Sequence, residues 1–363
     1  MIESENLITE KTIIISAWLP GGGVEKVIQN LMVDNQPFKD VSILILSKDI
    51  KFHWYKEIED KVTFADGFDS SNFSSLDLLF GLFKSYSIIK KELKNSNPKN
   101  ILFTHSFLMV IFSFLRTNAN VFFWPHNNLF SSSDFLKSKI KKLTYKLFKF
   151  SIDGILCVSE SILAEAKLIG FSKTNLVYNP IGENFKNQFI YKPDLNKLVH
   201  IGFLDERKNT SHIIKALAKS NNNKLSLDVI GDGYLLESLK EEVENLGLNN
   251  RVFFKGFLDM SKVQISCSAL IMASKSEGFS MVISDALKSG IPLILPSNLD
   301  ISKFINSDKR GKVFDLENII YLKEVLDNLD FLKVDSNEIK DTYISFYGKK
   351  AYSKRVSSFI KSI

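Results

Sequence analysis

Short apolar runs of strand length alternate with amphipathic stretches along nearly the whole chain. That is the pattern of parallel sheets with helices on both faces. In the first half the strand-like runs are 12–18, 41–46, 100–104, 121–124, 154–158 and 176–178, and helical periodicity fills 24–33, 76–93, 135–150 and 160–168. The pattern then restarts. Strands are expected at 198–203, 225–230, 252–254, 270–272 and 293–295, with helices at 211–219, 235–246 and 279–288. Between the halves, Asn179-Pro180-Ile181-Gly182 opens a polar stretch to Asn196 that reads as a linker. The chain end, 347–363, mixes Lys and Arg with Tyr352, Val356, Phe359 and Ile360, as does a helix that packs on something. Two doubly wound α/β domains in tandem are therefore expected, binding ligands beyond the carboxyl ends of their strands on either side of a central cleft.

The length of 363 residues exceeds one hydrophobic core and agrees with two domains. With 45% hydrophobic and 24% charged residues the chain has an ordinary folded composition. The net charge of +6 is modest, so its distribution matters more than its sum, and no nucleic-acid partner is expected. Cys157 and Cys267 lie in apolar contexts and read as small core residues in a reducing compartment. Glu3, Glu5 and Glu10 precede the first apolar run, unlike a signal peptide. The apolar run 107–115 stops at Arg116, short of the ~18 residues of a membrane span. A cytoplasmic protein is expected.

The segment Ser276-Glu277-Gly278-Phe279-Ser280-Met281-Val282-Ile283-Ser284-Asp285 carries the most chemistry. It joins a strand to a helix start, which gathers unpaired N–H groups and the positive end of a helix dipole, as a phosphate requires. Glu277 can accept hydrogen bonds from hydroxyls, and Asp285 lies about two turns further along the helix. A ligand with both phosphate and many hydroxyls fits, a nucleotide sugar above all.

Four further segments follow strands. Pro20-Gly21-Gly22-Gly23-Val24-Glu25 is either a plain turn or a place where backbone approaches a ligand closely. Trp124-Pro125-His126-Asn127-Asn128 places a histidine where it either hydrogen-bonds a sugar hydroxyl or serves the structure alone. His105 is a weaker candidate for the same role; His53, His200 and His212 read as structural, and no pair has metal-ligand spacing. Gly202-Phe203-Leu204-Asp205-Glu206-Arg207-Lys208 offers cations for a diphosphate leaving group, or else a solvated charge run. Ile230-Gly231-Asp232-Gly233 is a tight turn.

The stretch 135–150 has an apolar stripe, Leu136, Ile140, Leu143, Leu147 and Phe150, surrounded by Lys137, Lys139, Lys141, Lys142, Lys146 and Lys149. Tyr145 and Phe148 project off the stripe. Either the stripe packs on the sheet beneath solvated lysines, or the basic helix meets an anionic membrane surface through Lys139, Lys141, Lys142 and Lys146.

Together these segments resemble the family 4 glycosyltransferases, retaining enzymes of the GT-B fold. The landmarks are Gly22-Gly23-Val24-Glu25, Val158-Ser159-Glu160-Ser161, Asn179-Pro180, the Gly202–Lys208 segment, Gly231-Asp232-Gly233 and the two acids eight positions apart, Glu277 and Asp285. The resemblance implies an acceptor-binding domain over 1–185, a nucleotide-sugar domain over 186–345, and a helix over 346–363 returning to the first domain. It implies that Glu277, Gly278 and Phe279 bind the donor sugar, that the N–H groups of Met281 and Val282 face the diphosphate, and that Asp285 holds the ribose. Lys208, with Arg207 nearby, would pair with the diphosphate, Gly22 and Gly23 would close over it, and His126 would sit by the sugar. Glu277, His126 and Lys208 are the expected catalytic set. Where the family has arginine after the strand glycine this chain has Phe203, and the second acid is Asp rather than Glu.

The expected activity is retaining transfer of a sugar from a UDP-sugar, without metal or other cofactor, to a glycan or lipid-linked acceptor of surface polysaccharide or lipopolysaccharide. The expected place is the cytoplasm or the inner membrane face. Two rival readings are a non-catalytic subunit that binds nucleotide or glycan beside a partner enzyme, favoured by Phe203, and a nucleotide-sugar epimerase of the same fold.

Overall fold

A computed structural model describes residues 7–17, 23–34, 37–47, 54–68, 75–130, 135–179, 189–258, 263–277 and 280–363. The chain divides into two compact units, Met1–Gly182 with Gly348–Ile363, and Glu183–Tyr347.

The first unit is built on a seven-stranded parallel sheet in the order β3-β2-β1-β4-β5-β6-β7. Its strands are β1 (Thr12–Ser16), β2 (Val41–Ser47), β3 (Val62–Phe68), β4 (Asn100–Phe103), β5 (Asn120–Phe123), β6 (Gly154–Cys157) and β7 (Thr174–Leu176). The helices between them are α1 (Gly23–Asp34), α2 (Ser75–Ser96), α3 (Leu108–Phe114), α4 (Phe135–Phe148) and α5 (Glu160–Ile169). All residues of β1, β4 and β6 are buried, which explains continuous apolar runs in place of alternation. Phe103 anchors this core, with its ring 5.1 Å from Phe112 and 5.0 Å from Phe123.

The second unit has a six-stranded parallel sheet, β11-β10-β9-β13-β14-β15, and a small parallel pair, β12-β8. The strands are β8 (Phe189–Tyr191), β9 (Lys197–Ile201), β10 (Ser226–Ile230), β11 (Val252–Gly256), β12 (Ile265–Cys267), β13 (Ala269–Ile271), β14 (Leu293–Pro296) and β15 (Gly311–Phe314). Around them lie α6 (Thr210–Lys219), α7 (Leu236–Asn245), α8 (Met281–Lys288), α9 (Ser302–Ile305), α10 (Ile319–Asp327) and α11 (Ser336–Tyr347). The core of this unit includes Leu198, Leu227 and Val229 from the sheet with Ile213, Leu217 and Leu239 from helices.

Gly348 separates α11 from α12 (Lys349–Lys361), which belongs to the first unit. The return is sequence-encoded. A Cβ at Gly154 in β6 would lie 2.7 Å from Cζ of Phe359, so only glycine admits that ring beside Phe122, whose centroid is 6.0 Å away. Asn175 Nδ2 donates to the Arg355 carbonyl at 3.3 Å, and the Arg355 guanidinium lies 5.4 Å from the centre of the Tyr178 ring.

Several elements depart from the periodicity. β8 lies inside the stretch expected to be a linker, and β7 begins two residues before the expected strand. β3, α3, β15 and helices α9 to α11 were not expected. The largest correction concerns α4. Tyr145, expected to project off the buried stripe, is 4% exposed, with its ring 6.2 Å from Phe123 and 6.4 Å from Phe171. At about 100° per residue, burying position 145 turns 143 and 147 to the opposite side. Leu143 and Leu147 are exposed accordingly, and Phe150, just beyond the helix, is 85% exposed.

Phe359→Ala should cost about 3–5 kcal/mol of the first unit's stability, by emptying the space between β5, β6 and α12. A urea titration followed by a probe in that unit checks this; a midpoint like that of the unaltered chain would show that α12 contributes little.

Candidate active site

In the second unit β9 and β13 are neighbours, but their crossovers lead opposite ways, through α6 to β10 and through α8 to β14. Ligands of open α/β sheets bind at such a point. The loop after β9 carries Lys208 and the loop after β13 carries Glu277, and the two meet: Nζ donates to Oε1 at 2.5 Å. Their side chains are only 11% and 12% exposed. Gly202 makes this reach practicable, because a Cβ there would lie 3.0 Å from Lys208 Cε and 3.3 Å from its Cδ.

Arg207 grips the other carboxylate oxygen, with Nη1 3.4 Å from Glu277 Oε2 and 3.5 Å from the Ser276 carbonyl. Asp205 organises both cations. Its Oδ1 accepts from the Lys208 amide at 2.9 Å, and its Oδ2 lies 3.7 Å from Arg207 Nη2. The Lys275 amide donates to the Arg207 carbonyl at 2.9 Å, so the two loops interlock through backbone as well. The sequence reading did not single out Asp205; an Asp three residues before a helix-proximal amide is the signal that was there to find.

Beneath this cluster His200 is fully buried in β9. Its Nδ1 donates to the Ile271 carbonyl of β13 at 3.1 Å, and its Nε2 accepts from the Thr210 hydroxyl of α6 at 3.1 Å. Burial holds it neutral, lowering its pKa to about 4. His200 therefore ties together the three elements that present Lys208 and Glu277.

Helix α8 starts after Ser280, whose side chain makes no cap. The leading amides of Met281 and Val282 thus lack that cap, and Asp285, one turn on, is buried. Gly278 and Phe279 lie outside the described residues. β9 ends at Ile201, so Phe203 stands beyond the strand and is exposed.

In the first unit the strand ends gather uncharged polar groups. His126, after β5, pairs through Nδ1 with Asn179 Nδ2, beyond β7, at 3.3 Å. The amide can only donate, so the imidazole proton sits on Nε2. Among the described residues that Nε2 is buried with no hydrogen-bond partner, as are Trp124 Nε1 and Asn179 Oδ1. Such orphaned groups are costly unless water or a ligand completes them. Burial, and then the charge of His105, lowers the pKa of His126 to about 3; burial lowers that of His105 to about 4. His105 Nδ1 lies 2.8 Å from Thr104 Oγ1 and accepts from the Ala17 amide at 3.3 Å. Asn179, matched in sequence but given no role there, is the partner that sets the His126 tautomer.

The Val158-Ser159-Glu160-Ser161 segment is a helix cap, with Ser159 Oγ accepting from the Ile162 amide at 3.2 Å. Glu160 accepts from the Tyr178 hydroxyl at 3.3 Å. Gly22 lies outside the described residues, and Gly23 opens α1. Lys139, Lys141, Lys142 and Lys146 are all exposed on α4. Among the described residues no group of three or more His, Cys, Asp or Glu is placed to hold a metal ion, and no helix is long and apolar enough to cross a membrane.

The family model described as "Glycosyl transferases group 1" matches residues 182–360. Residues 182–360, just under half of the chain, thus carry a group 1 glycosyltransferase domain. Two curated relatives extend the likeness. The poly(glycerol-phosphate) alpha-glucosyltransferase of Bacillus subtilis is 26% identical over 63% of this chain, which spans only 35% of that relative's length. The O-antigen biosynthesis glycosyltransferase WclY of Escherichia coli is 25% identical over 74% of this chain and 79% of its own. Among solved structures, the apo form of the lipopolysaccharide outer core galactosyltransferase WaaB superposes with a TM-score of 0.75 at 21% identity, covering 97% of this chain and 99% of that one. Anabaena HepE in complex with UDP-glucose gives 0.74 at 14% identity, covering 97% and 100%. The glycosyltransferase thus has the GT-B fold, with two doubly wound units and a last helix returned to the first.

The three histidines with lowered pKa, His105, His126 and His200, make acid stability a test of this chemistry. Folded, they protonate only near pH 4 or 3; unfolded, near 6.5. Between those values the unfolded chain binds more protons, so stability falls as pH drops below about 6.5. His126→Gln should flatten this decline by about one proton, ~1.4 kcal/mol per pH unit. Urea midpoints from pH 7 to 4.5 check it, and an unchanged slope would place a charged imidazole at position 126.

Proposed function

We propose that this glycosyltransferase moves a hexosyl group from a nucleoside-diphosphate donor, UDP by preference, to a glycan or lipid-linked acceptor with retention at the anomeric carbon. The observation that carries the reading is the Lys208–Glu277–Arg207 cluster at the switch point of the second sheet. Lys208 and Arg207 face the diphosphate with the first amides of α8, and Glu277, with Gly278 and Phe279, takes the hydroxyls of the sugar. Asp285 holds the ribose, Gly22 and Gly23 close over the phosphates, and His126 offers its Nε2–H to a sugar oxygen. Two cations and a helix N-terminus supply the positive charge that a departing diphosphate needs, so no metal is required.

In this reading the bond from the anomeric carbon to the diphosphate oxygen breaks, and a bond to the acceptor oxygen forms on the same face. The leaving phosphate oxygen takes the acceptor proton. The protein contributes position and field rather than a covalent intermediate. The printed names of WclY and WaaB support surface polysaccharide or lipopolysaccharide as the product class, and HepE with UDP-glucose supports the nucleotide.

The acceptor side is assigned to the cytoplasmic face of a membrane. Leu143, Leu147 and Phe150 form an exposed apolar strip flanked by Lys139, Lys141, Lys142 and Lys146, which matches an anionic surface.

Release of UDP from a panel of UDP-sugars, with and without membrane extract, tests the activity. Glu277→Ala should lower turnover at least about 100-fold, and a chelator should leave it unchanged. Tight UDP binding with no release from any donor would favour the non-catalytic subunit that Phe203 makes conceivable. For the membrane, neutralising Lys139, Lys141 and Lys142 removes up to ~3 kcal/mol, about 100-fold in affinity for anionic vesicles. Equal binding of neutral and anionic vesicles would reject the surface.

A further inference from the structure

Phe203 stands where the resemblance calls for arginine, yet its setting is that of a built feature. It is 55% exposed, and its ring meets that of Tyr234, itself 66% exposed, edge-on at 6.0 Å. The two segments that carry them are locked together. Gly202 N donates to the Ile230 carbonyl at 3.0 Å, Leu204 N to Asp232 at 2.9 Å, and Leu235 N to Leu204 at 3.2 Å. Glycines permit this approach: a Cβ at Gly231 would lie 1.9 Å from the Gly202 carbonyl oxygen, and one at Gly233 2.5 Å from that of Leu204. The Tyr234 hydroxyl also donates to Glu206. Two large aromatic rings are thereby held in the open on rigid backbone. They stand beyond the carboxyl ends of β9 and β10, on the loop that carries Lys208 five residues later and on the turn beside it.

We infer that Phe203 and Tyr234 form a stacking platform for the base of the nucleoside diphosphate. The inference rests on the proposed donor chemistry. A ligand whose phosphates meet Lys208 has one other flat, apolar face to offer, its base, and the adjoining exposed surface is aromatic. Stacking is tolerant, since every base has a π-face, so the platform supplies affinity without choosing the base. Its affinity also compensates for having no guanidinium at position 203 to hold a phosphate.

Binding of UDP, UDP-sugar and inorganic pyrophosphate to the full chain, measured by calorimetry, tests this. Phe203→Ala and Tyr234→Ala should each weaken UDP about 10-fold or more and leave pyrophosphate unchanged, while Phe203→Trp retains UDP affinity. Lys208→Ala should weaken all three ligands. Unchanged UDP affinity in both alanine variants would overturn the platform while leaving the donor reading intact. So would an equal loss for pyrophosphate, or a loss confined to the UDP-sugar, which would assign the rings to the sugar. If the unaltered chain bound none of UDP, ADP and GDP, the donor reading itself would fall, and the platform with it.

Discussion

The carboxylate of Glu277 is held between two cations in a place where little water reaches it. A largely buried ion pair of this kind does little for stability, because stripping both charges of water offsets most of their attraction. Its maintenance therefore requires scaffolding, and the surrounding structure supplies it. Gly202 leaves the path for the lysine stem, Asp205 orders the loop that bears both cations, and His200 ties β9, β13 and α6 beneath them. An arriving anionic ligand can exchange places with one charge of the pair without leaving the other bare. That is the electrostatic condition the proposed diphosphate site would have to meet.

The strand ends of the first unit are arranged on different terms. His126, Asn179, Trp124 and His105 are neutral there, and burial keeps the two imidazoles so. Neutral donors and acceptors suit hydroxyl groups, whereas the charged cluster of the second unit suits phosphate. Each unit thus suits one half of the chemistry of the proposed sugar transfer, and the match to the group 1 glycosyltransferases falls on the second.

Much of this was legible in the chain because parallel strands buried on both faces make unbroken apolar runs, and glycines and charges mark where they end. Glu277 and the Gly231-Asp232-Gly233 turn were marked that way, whereas Lys208 stood out from its charged run only through the family resemblance. β3 was not, because Asp66 and Gly67 interrupt its pattern; it survives at the sheet edge, where such residues are tolerated. The seven residues of α3 are too few to show a period. The helix at 135–148 is apolar on two sides, so sequence could not say which side turns inward. The packing of Tyr145 between Phe123 and Phe171 decided it. The His126–Asn179 pair spans 53 positions, and only the folded sheet brings it together.

A crystal structure with an intact UDP-sugar addresses the central claim most directly. The account predicts diphosphate oxygens roughly 2.7–2.9 Å from Lys208 Nζ and a sugar hydroxyl on the Glu277 carboxylate. A nucleotide bound elsewhere, with Lys208 and Glu277 still paired only to each other, would contradict it.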